Sequence, residues 1–399
     1  MNVLVINAGS SSLKFKLFDG DGTEVVMAGH YVDIGETAGK GGGARIITRR
    51  GSVEKTALEV QDHRAAIGDM LGLLRGENLF DGRNGEAVIG HRIVHGGERY
   101  DRATLITPEV LEYLREISVL APLHNPVALA CVDELAAALP DLRQFVVFDT
   151  AFHRTLPEAV YLYGLPLELY RTYGIRKYGF HGTNHKYVAH RAAEVMGRDI
   201  ASLKIITCHL GNGQSVCAVK HGKSVDTSMG FTPLEGLPMG TRSGSFDPEI
   251  IFFLMDHGHA PGDIRTMINR RSGLLGLSGA DSHYKTIEDK ARSGDAASKL
   301  ASDILVNRII CTIGAYTAEM GGVDAVVFTG GIGENSAYLR RGVLDGLAHA
   351  GLVLDGAANN AHAETITAPG SPVRALIIPA DEELQIAREV MGAAGDMKG

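Results

Sequence analysis

Apolar residues come along this chain in short runs that close on glycine or polar turns, separated by longer stretches with apolar positions at helical spacing. The runs 3–6 and 13–18 flank a polar segment and predict a hairpin. The runs 204–208 and 215–219 flank Gly211-Asn212-Gly213 and predict a second. Residues 143–148 predict a strand that closes on Asp149. Residues 324–329 predict a strand that runs into Gly330-Gly331-Ile332-Gly333, and 373–378 a late strand before Pro379. Helical patterns fill 107–117, 126–138, 184–196, 296–320, 336–350 and 381–391. The mixture predicts an α/β chain with both parallel and hairpin strands. Residues 20–60, with Gly39-Lys40-Gly41-Gly42-Gly43, read as a variable hairpin region and, more simply, as flexible surface loop.

The segment Asn7-Ala8-Gly9-Ser10-Ser11-Ser12 lies between two strands. So does His209-Leu210-Gly211-Asn212-Gly213-Gln214, 202 positions later (209 − 7). The repeat predicts two similar domains facing each other, and 399 residues are enough for two or three. With 45% hydrophobic and 22% charged residues the chain reads as soluble and globular. Its 50 glycines exceed ordinary usage of about 7% and imply turns at positive φ or close backbone approaches to a ligand. A net charge of −8 without a long basic run argues against nucleic acid and anionic membranes as partners. Cys131, Cys208, Cys217 and Cys311 form no CxxC pair and sit among apolar neighbours, so buried thiols in a reducing cytosol are expected. The start has no signal-peptide pattern and no stretch has the length of a membrane span, which predicts a soluble cytoplasmic protein.

Three glycine turns, 7–12, 209–214 and 330–335, offer successive backbone N–H groups to phosphate oxygens, the third at a helix start. No Walker A loop is present, because Cys217 stands where its first glycine belongs before Gly222-Lys223-Ser224. Arg92, in His91-Arg92-Ile93-Val94-His95-Gly96-Gly97, and Arg242, in Met239-Gly240-Thr241-Arg242-Ser243-Gly244, sit among glycine and apolar residues. Each is either an anion-binding fork or half of a structural salt bridge. His181 and His185 are four apart, as zinc ligands on a helix can be. Gly182 and Thr183 read instead as a loop and N-cap before the helix, and no HExxH motif is present. A loop histidine beside glycine suits donation to a phosphoryl group in transit. His124, between Leu123 and Asn125-Pro126, is either such a donor or a structural histidine. Asp149 at a strand end could orient an attacking group or hold Mg²⁺. Glu382 and Glu383 follow Pro379-Ala380-Asp381 at a helix start, where a carboxylate either complements the helix dipole or holds hydrated Mg²⁺.

Together these segments resemble the acetate kinase family. The carrying pieces are Asn7-Ala8-Gly9-Ser10-Ser11-Ser12-Leu13-Lys14-Phe15, the stretch around Arg92, Phe148-Asp149-Thr150-Ala151-Phe152-His153, Tyr178-Gly179-Phe180-His181-Gly182-Thr183, His209-Leu210-Gly211-Asn212-Gly213, the run 226–248, and Gly331-Ile332-Gly333-Glu334-Asn335. The resemblance spans roughly residues 2–391. It implies two duplicated actin-like (ribonuclease H-like) domains with the active site in the cleft between them. The expected domains are 1–150 plus 384–399, and 151–383. The implied reaction is reversible, Mg²⁺- or Mn²⁺-dependent in-line transfer of the γ-phosphoryl of ATP to acetate, giving acetyl phosphate and ADP, in a cytoplasmic homodimer. By the same resemblance Asn7 and Glu382 hold the metal, and Lys14 with His209, Leu210, Gly211, Asn212 and Gly213 contact nucleotide phosphates. Gly331, Ile332, Gly333, Glu334 and Asn335 line the adenosine region. Arg92 binds the carboxylate of acetate, and Val94, Leu123, Phe180 and Pro233 form the pocket for its methyl group. Asp149 is the catalytic carboxylate, and His181 and Arg242, with His124 assisting, stabilise the transferring phosphoryl group.

There is one departure. After Ser278-Gly279 the family usually has Asp and Arg, two apart, against the nucleoside; here His283 and Lys285, around Tyr284, hold those places. Lysine keeps the charge and loses the planar fork, so the donor is the open half of the assignment. Ser245 stands where an acidic residue is common. Propionate or butyrate as acceptor, or another phosphoryl donor, are alternatives within the family. A nucleotide-gated binding protein on the same fold, and a zinc hydrolase built on His181 and His185, are alternatives outside it.

Overall fold

The computed structural model describes residues 1–20, 24–35, 43–49, 52–80 and 87–397. The chain divides into two units, Met1–Phe152 with Asp381–Gly399, and His153–Ala380.

In the first unit, strands β1 (Asn2–Ala8), β2 (Ser12–Phe18), β3 (Val25–Val32), β4 (Ala44–Arg49), β5 (Ser52–Ala57), β6 (Ala87–Ile93), β7 (Thr104–Leu105) and β8 (Arg143–Phe148) form one sheet in the order β5-β4-β3-β2-β1-β6-β8-β7. β1 to β5 form an antiparallel meander, and β1, β6 and β8 run parallel. The loop expected over 20–60 is therefore corrected. β3, β4 and β5 extend the sheet there, because Met27, Tyr31 and Ile47 alternate inward onto the core; Gly39-Lys40-Gly41-Gly42 lie outside the described residues.

Alternation along the strands decides which side chains meet. Leu4, Ile6 and Ile89 pack under the helices His63–Gly76 and Asn125–Ala138. Val3, Val5, Val88, Phe145 and Val147 face the opposite way, onto Ile386, Ala387 and Val390 of the helix Glu382–Asp396. Each buried Val, Ile or Phe side chain among these contributes about 1.5–3 kcal/mol on burial. Gly90 leaves the helix room to seat: a Cβ there would lie 2.8 Å from Val390 Cγ2. By the same period-two rule, Asn7, Arg92 and Asp149 fall on the face that this C-terminal helix covers.

The second unit repeats the pattern. β9 (Lys204–Leu210), β10 (Gln214–Lys220), β11 (Lys223–Thr227), β12 (Ala325–Thr329) and β13 (Arg374–Ile377) lie in the order β11-β10-β9-β12-β13. The first three are antiparallel, and β9, β12 and β13 are parallel. This is the order and sense of β3-β2-β1-β6-β8, so the repeated glycine turns mark a repeated topology. Ile206, Cys208, Leu210, Val216, Val326 and Phe328 meet Leu305, Ile309 and Ile313 of the helix Ala296–Met320. That helix begins where Asp295 accepts from the Ser298 N–H and ends at Gly321, at φ 70°.

Other expectations are also corrected. The helix expected at 184–196 is Gly182–Met196, so Gly182 and Thr183 form its first turn and neither is a loop or cap residue. His181 takes the cap position in the left-handed region, at φ 57°. Cys131, Cys208 and Cys217 are buried, but Cys311 is exposed, on the outer side of the helix Ala296–Met320. Strand β6 and the helices His63–Gly76, Glu249–Asp256, Pro261–Arg270 and Tyr284–Arg292 lie outside the predicted elements. Among the described residues no helix is long and apolar enough to cross a membrane.

Candidate active site

The parallel strands β1, β6 and β8 bring Asn7, Arg92 and Asp149 side by side near their C-terminal ends. Arg92 Nε donates to Asp149 Oδ1 at 3.0 Å, its Nη2 donates to Asp149 Oδ2, and its Nη1 donates to Asn7 Oδ1 at 3.1 Å. The start of the C-terminal helix adds two carboxylates. Glu382 Oε2 lies 3.7 Å from Arg92 Nε, and Glu383 Oε1 accepts from Asn7 Nδ2 at 3.2 Å. The helix itself is capped by Asp381, which accepts from the Leu384 N–H at 3.1 Å. Lys16, next to Lys14 on the same face of β2, reaches Asp381 Oδ1 at 2.7 Å and Glu383 Oε2 at 3.4 Å.

This is a buried cluster with more carboxylates than cations. Burial, with Asp149 and Glu383 close by, pushes Glu382 up to about 7, and Arg92 only partly offsets this. Burial also raises Glu383, but Lys16 and the Asn7 hydrogen bond outweigh it and hold it below the usual carboxylate range. Burial disfavours the charged Arg92, yet Asp149 and Glu382 hold its pKa above the ordinary value. Val94 is buried just after β6, while Leu123, two residues before the helix Asn125–Ala138, is 62% exposed; His124 takes the cap position of that helix.

The second unit gathers His181, His209, the turn Gly211-Asn212-Gly213, and Arg242. The ring of His209 stacks on that of His181 at 4.2 Å. A Cβ at Gly213 would lie 3.5 Å from His181 Nε2 and 3.8 Å from Arg242 Nη1, so glycine there lets both groups border one space. Arg242 Nη1 donates to the Pro233 carbonyl at 3.2 Å. No carboxylate among the described residues pairs with Arg242, and burial alone lowers its pKa. Of the two readings of each arginine, a salt bridge is present at Arg92 and missing at Arg242. Phe180 is buried, its carbonyl accepting from His153 Nε2 at 3.0 Å. His185 has both ring nitrogens occupied, by Thr207 and Ser215, which leaves no lone pair for zinc.

Gly211, Asn212, Ser282, His283, Tyr284, Lys285, Glu288, Gly331, Ile332, Asn335 and Ser336 line a cavity of about 230 Å³. Tyr284 is buried, with its hydroxyl 2.7 Å from Ser302 Oγ. The tips of the two departing residues turn to their own segment: His283 Nδ1 lies 2.9 Å from Asp281 Oδ1, and Lys285 Nζ lies 2.6 Å from Asp289 Oδ1. Glu334 Oε1 accepts from the N–H groups of Gly330 at 2.9 Å and Ala380 at 3.1 Å. Leu210 points into the core and Gly333 packs on Phe328, so these two offer backbone only.

Sequence reasoning passed over Lys16, Glu288, Thr207 and Ser215. Lys16 shares the period of Lys14 along β2. Thr207 and Ser215 are hydroxyls within the mainly apolar runs 204–208 and 215–219, and that was the available signal.

A model of the acetokinase family matches residues 2–388. An acetate kinase of Bacillus cytotoxicus is 46% identical over 392 residues, covering 98% of both chains. The crystal structure of Porphyromonas gingivalis acetate kinase superposes with a TM-score of 0.90 at 41% identity, covering 98% of this chain and 99% of that one. A propionate kinase from Francisella tularensis superposes with a TM-score of 0.90 at 37% identity, over 97% and 98% of the two chains.

Proposed function

The chain belongs to the acetokinase family, a premise from which we propose that it moves the γ-phosphoryl group of ATP to acetate, reversibly, with Mg²⁺ as the metal. It is a phosphotransferase with a carboxyl group as acceptor, on a duplicated actin-like fold. The observation that carries the proposal is Arg242, a half-buried cation without a carboxylate partner among the described residues, bordering the same space as His181 Nε2. A guanidinium left in that state suits a phosphoryl group that gathers charge in transfer.

Arg92 takes the acetate carboxylate. Three of its five N–H donors are spent on Asp149 and Asn7, leaving one on each Nη. Acetate is already ionised at neutral pH and needs no base. Asp149 accordingly acts as the group that holds the Arg92 fork in place. His181 and Arg242 donate to the phosphoryl oxygens, with His124 assisting. Lys14 and His209 to Gly213 take the nucleotide phosphates, and the cavity around Ile332 and Tyr284 takes the nucleoside. Val94, Leu123, Phe180 and Pro233 sort acceptors by size, and one methylene is worth only about 1–3 kcal/mol.

Asn7 and Glu382 would hold the metal. Their fit rests on hard oxygen donors and on a carboxylate that burial and two like charges push up to about 7, a deficit of positive charge that a divalent ion relieves. Bound there, the ion supplies charge neutralisation for phosphate oxygens. Among the described residues no group of three or more His, Cys, Asp or Glu is gathered as a cage, which suits an ion that keeps water and phosphate ligands. A reducing, cytoplasmic setting is supported by the buried free thiols of Cys131, Cys208 and Cys217. A homodimer is supported by the helix Glu249–Asp256, where Ile250, Phe252, Phe253 and Met255 are all exposed.

The test is acyl phosphate formation, trapped as the hydroxamate, with acetate, propionate and butyrate against ATP, GTP and pyrophosphate in Mg²⁺. Product from acetate and ATP at ordinary enzymatic rates supports the proposal. Product only from a longer acid, or only from another donor, rewrites the acceptor or the donor half. No product from any pair moves the weight to a nucleotide-gated binding role.

A further inference from the structure

His181 is tied to a run of side chains that the reaction scheme leaves unused. Ser215 Oγ lies 2.8 Å from His181 Nδ1 and 2.8 Å from His185 Nε2, and His185 Nδ1 lies 2.7 Å from Thr207 Oγ1. Thr207, His185 and Ser215 are each fully buried.

The direction of donation is set at the far end. Among the described residues, Thr207 Oγ1 has one hydrogen-bond partner, His185 Nδ1. The hydroxyl hydrogen has no other acceptor, and a buried donor left unpaired is disfavoured. Thr207 therefore donates to Nδ1. His185 is neutral: burial pushes its pKa well down, and His153 and His209 act the same way. A neutral imidazole that accepts at Nδ1 carries its hydrogen on Nε2 and donates it to Ser215 Oγ. The Ser215 hydrogen then goes to its remaining partner, His181 Nδ1.

We infer that Thr207, His185 and Ser215 form a one-way hydrogen-bond chain that fixes the proton of His181 on Nε2, the nitrogen that borders the Gly213 turn beside Arg242. His181 then meets the phosphoryl group as a neutral donor. Adding a proton at Nδ1 would reverse every bond in the chain and strand the Thr207 hydroxyl. Such a proton would also place a second cation next to Arg242, with the rings of His185 and His209 on its other sides. The three residues are positioning residues, and their use in catalysis rests on the role proposed for His181.

Thr207→Val removes the hydroxyl at nearly constant shape, and Thr207→Ser keeps it. Long-range ¹H–¹⁵N spectra of ring-labelled protein, assigned with His181→Gln, read which nitrogen of His181 carries hydrogen. The wild type and Thr207→Ser are expected to show Nε2–H alone. Thr207→Val is expected to show both tautomers, with kcat down about tenfold and both KM values within about twofold. Ser215→Ala cuts the next link and is expected to give the same split, which covers the case of a poorly folded Thr207→Val. Nδ1–H on His181 in the wild type, or Nε2–H with full kcat retained in both cut variants, overturns the inference. If His181→Gln itself keeps full kcat, the proposed role of His181 fails while the tautomer result stands on its own.

Discussion

Arg92 and Asp149 sit on adjacent parallel strands and meet fork to fork, with both carboxylate oxygens engaged. The backbone ladder sets up the pair: Ile93 lies opposite Phe148, and the Asp149 N–H donates to the Ile93 carbonyl at 3.2 Å. Asp149 is 1% exposed, so its charge depends on Arg92 for compensation. The same guanidinium keeps one further N–H on each Nη, and under the proposed function it carries acceptor binding as well as local stability.

Arg92→Lys is expected to separate these two roles. Lysine keeps a cation near Asp149 and Glu382 and loses the fork. The KM for acetate should rise roughly tenfold or more, with the nucleotide KM unchanged. Arg92→Ala leaves the buried carboxylates without their cation and should cost about 3–5 kcal/mol in denaturant unfolding. An Arg92→Lys enzyme with wild-type KM for acetate would remove Arg92 from the acceptor site.

Arg242 is the opposite case. It has no carboxylate to strand, so Arg242→Ala should leave the melting temperature within about 3 °C. The kcat should still fall by about 10²–10³-fold, as for loss of one donor to a transferring group. Nucleotide affinity, read by equilibrium dialysis, should change far less. Unimpaired turnover would sink the assignment.

Much of this arrangement was legible in the sequence, for identifiable reasons. The two glycine-turn hairpins announced themselves because apolar runs broke sharply on polar turns, and their 202-residue repeat (209 − 7) reappears as repeated strand order. β3 to β5 did not, because strands with one exposed face and glycine-rich surroundings look like loop. Lys16 and Ser215 were hidden for another reason. Their partners lie 365 and 34 residues away, and only strand register and helix docking bring them together. Gly182 and Thr183 misled because a small residue and a hydroxyl before an apolar run imitate a cap, whereas the chain turns one residue earlier, at left-handed His181.

The cavity lined by Tyr284 and Ile332 gives a prediction about the departing residues. Lys285 Nζ is held by Asp289 on an exposed helix face, and such pairs are worth about 0–1 kcal/mol. Lys285→Ala should therefore change kcat/KM for ATP by less than about threefold. Ile332→Trp, which fills the cavity, should raise the KM for ATP by at least tenfold, roughly the loss of one well-packed contact, and spare the KM for acetate. A large loss in Lys285→Ala would mean that the side chain leaves Asp289 for the nucleotide.

His91 makes stability depend on pH in a direction that can be worked out. It lies on β6, buried, with Nε2 donating to Gln144 Oε1 at 2.6 Å. Burial lowers its pKa from 6.5 to about 4, and the Gln144 bond offsets this only in part. Between those values the unfolded chain binds a proton that the folded chain refuses, so stability falls as pH falls from about 6.5 toward 4. At 1.36 kcal/mol per unit, the difference of 2.5 units (6.5 − 4) corresponds to about 3 kcal/mol over the window, with about 2 kcal/mol lost by pH 5. His185, lowered in the same sense by burial, adds to the slope. Urea unfolding of the wild type and His91→Gln, at pH 7 and pH 5, isolates the His91 share. The variant should lose about 2 kcal/mol less than the wild type between the two pH values, whatever its stability at pH 7. Equal losses would mean that His91 is protonated in the folded state or free to reach water.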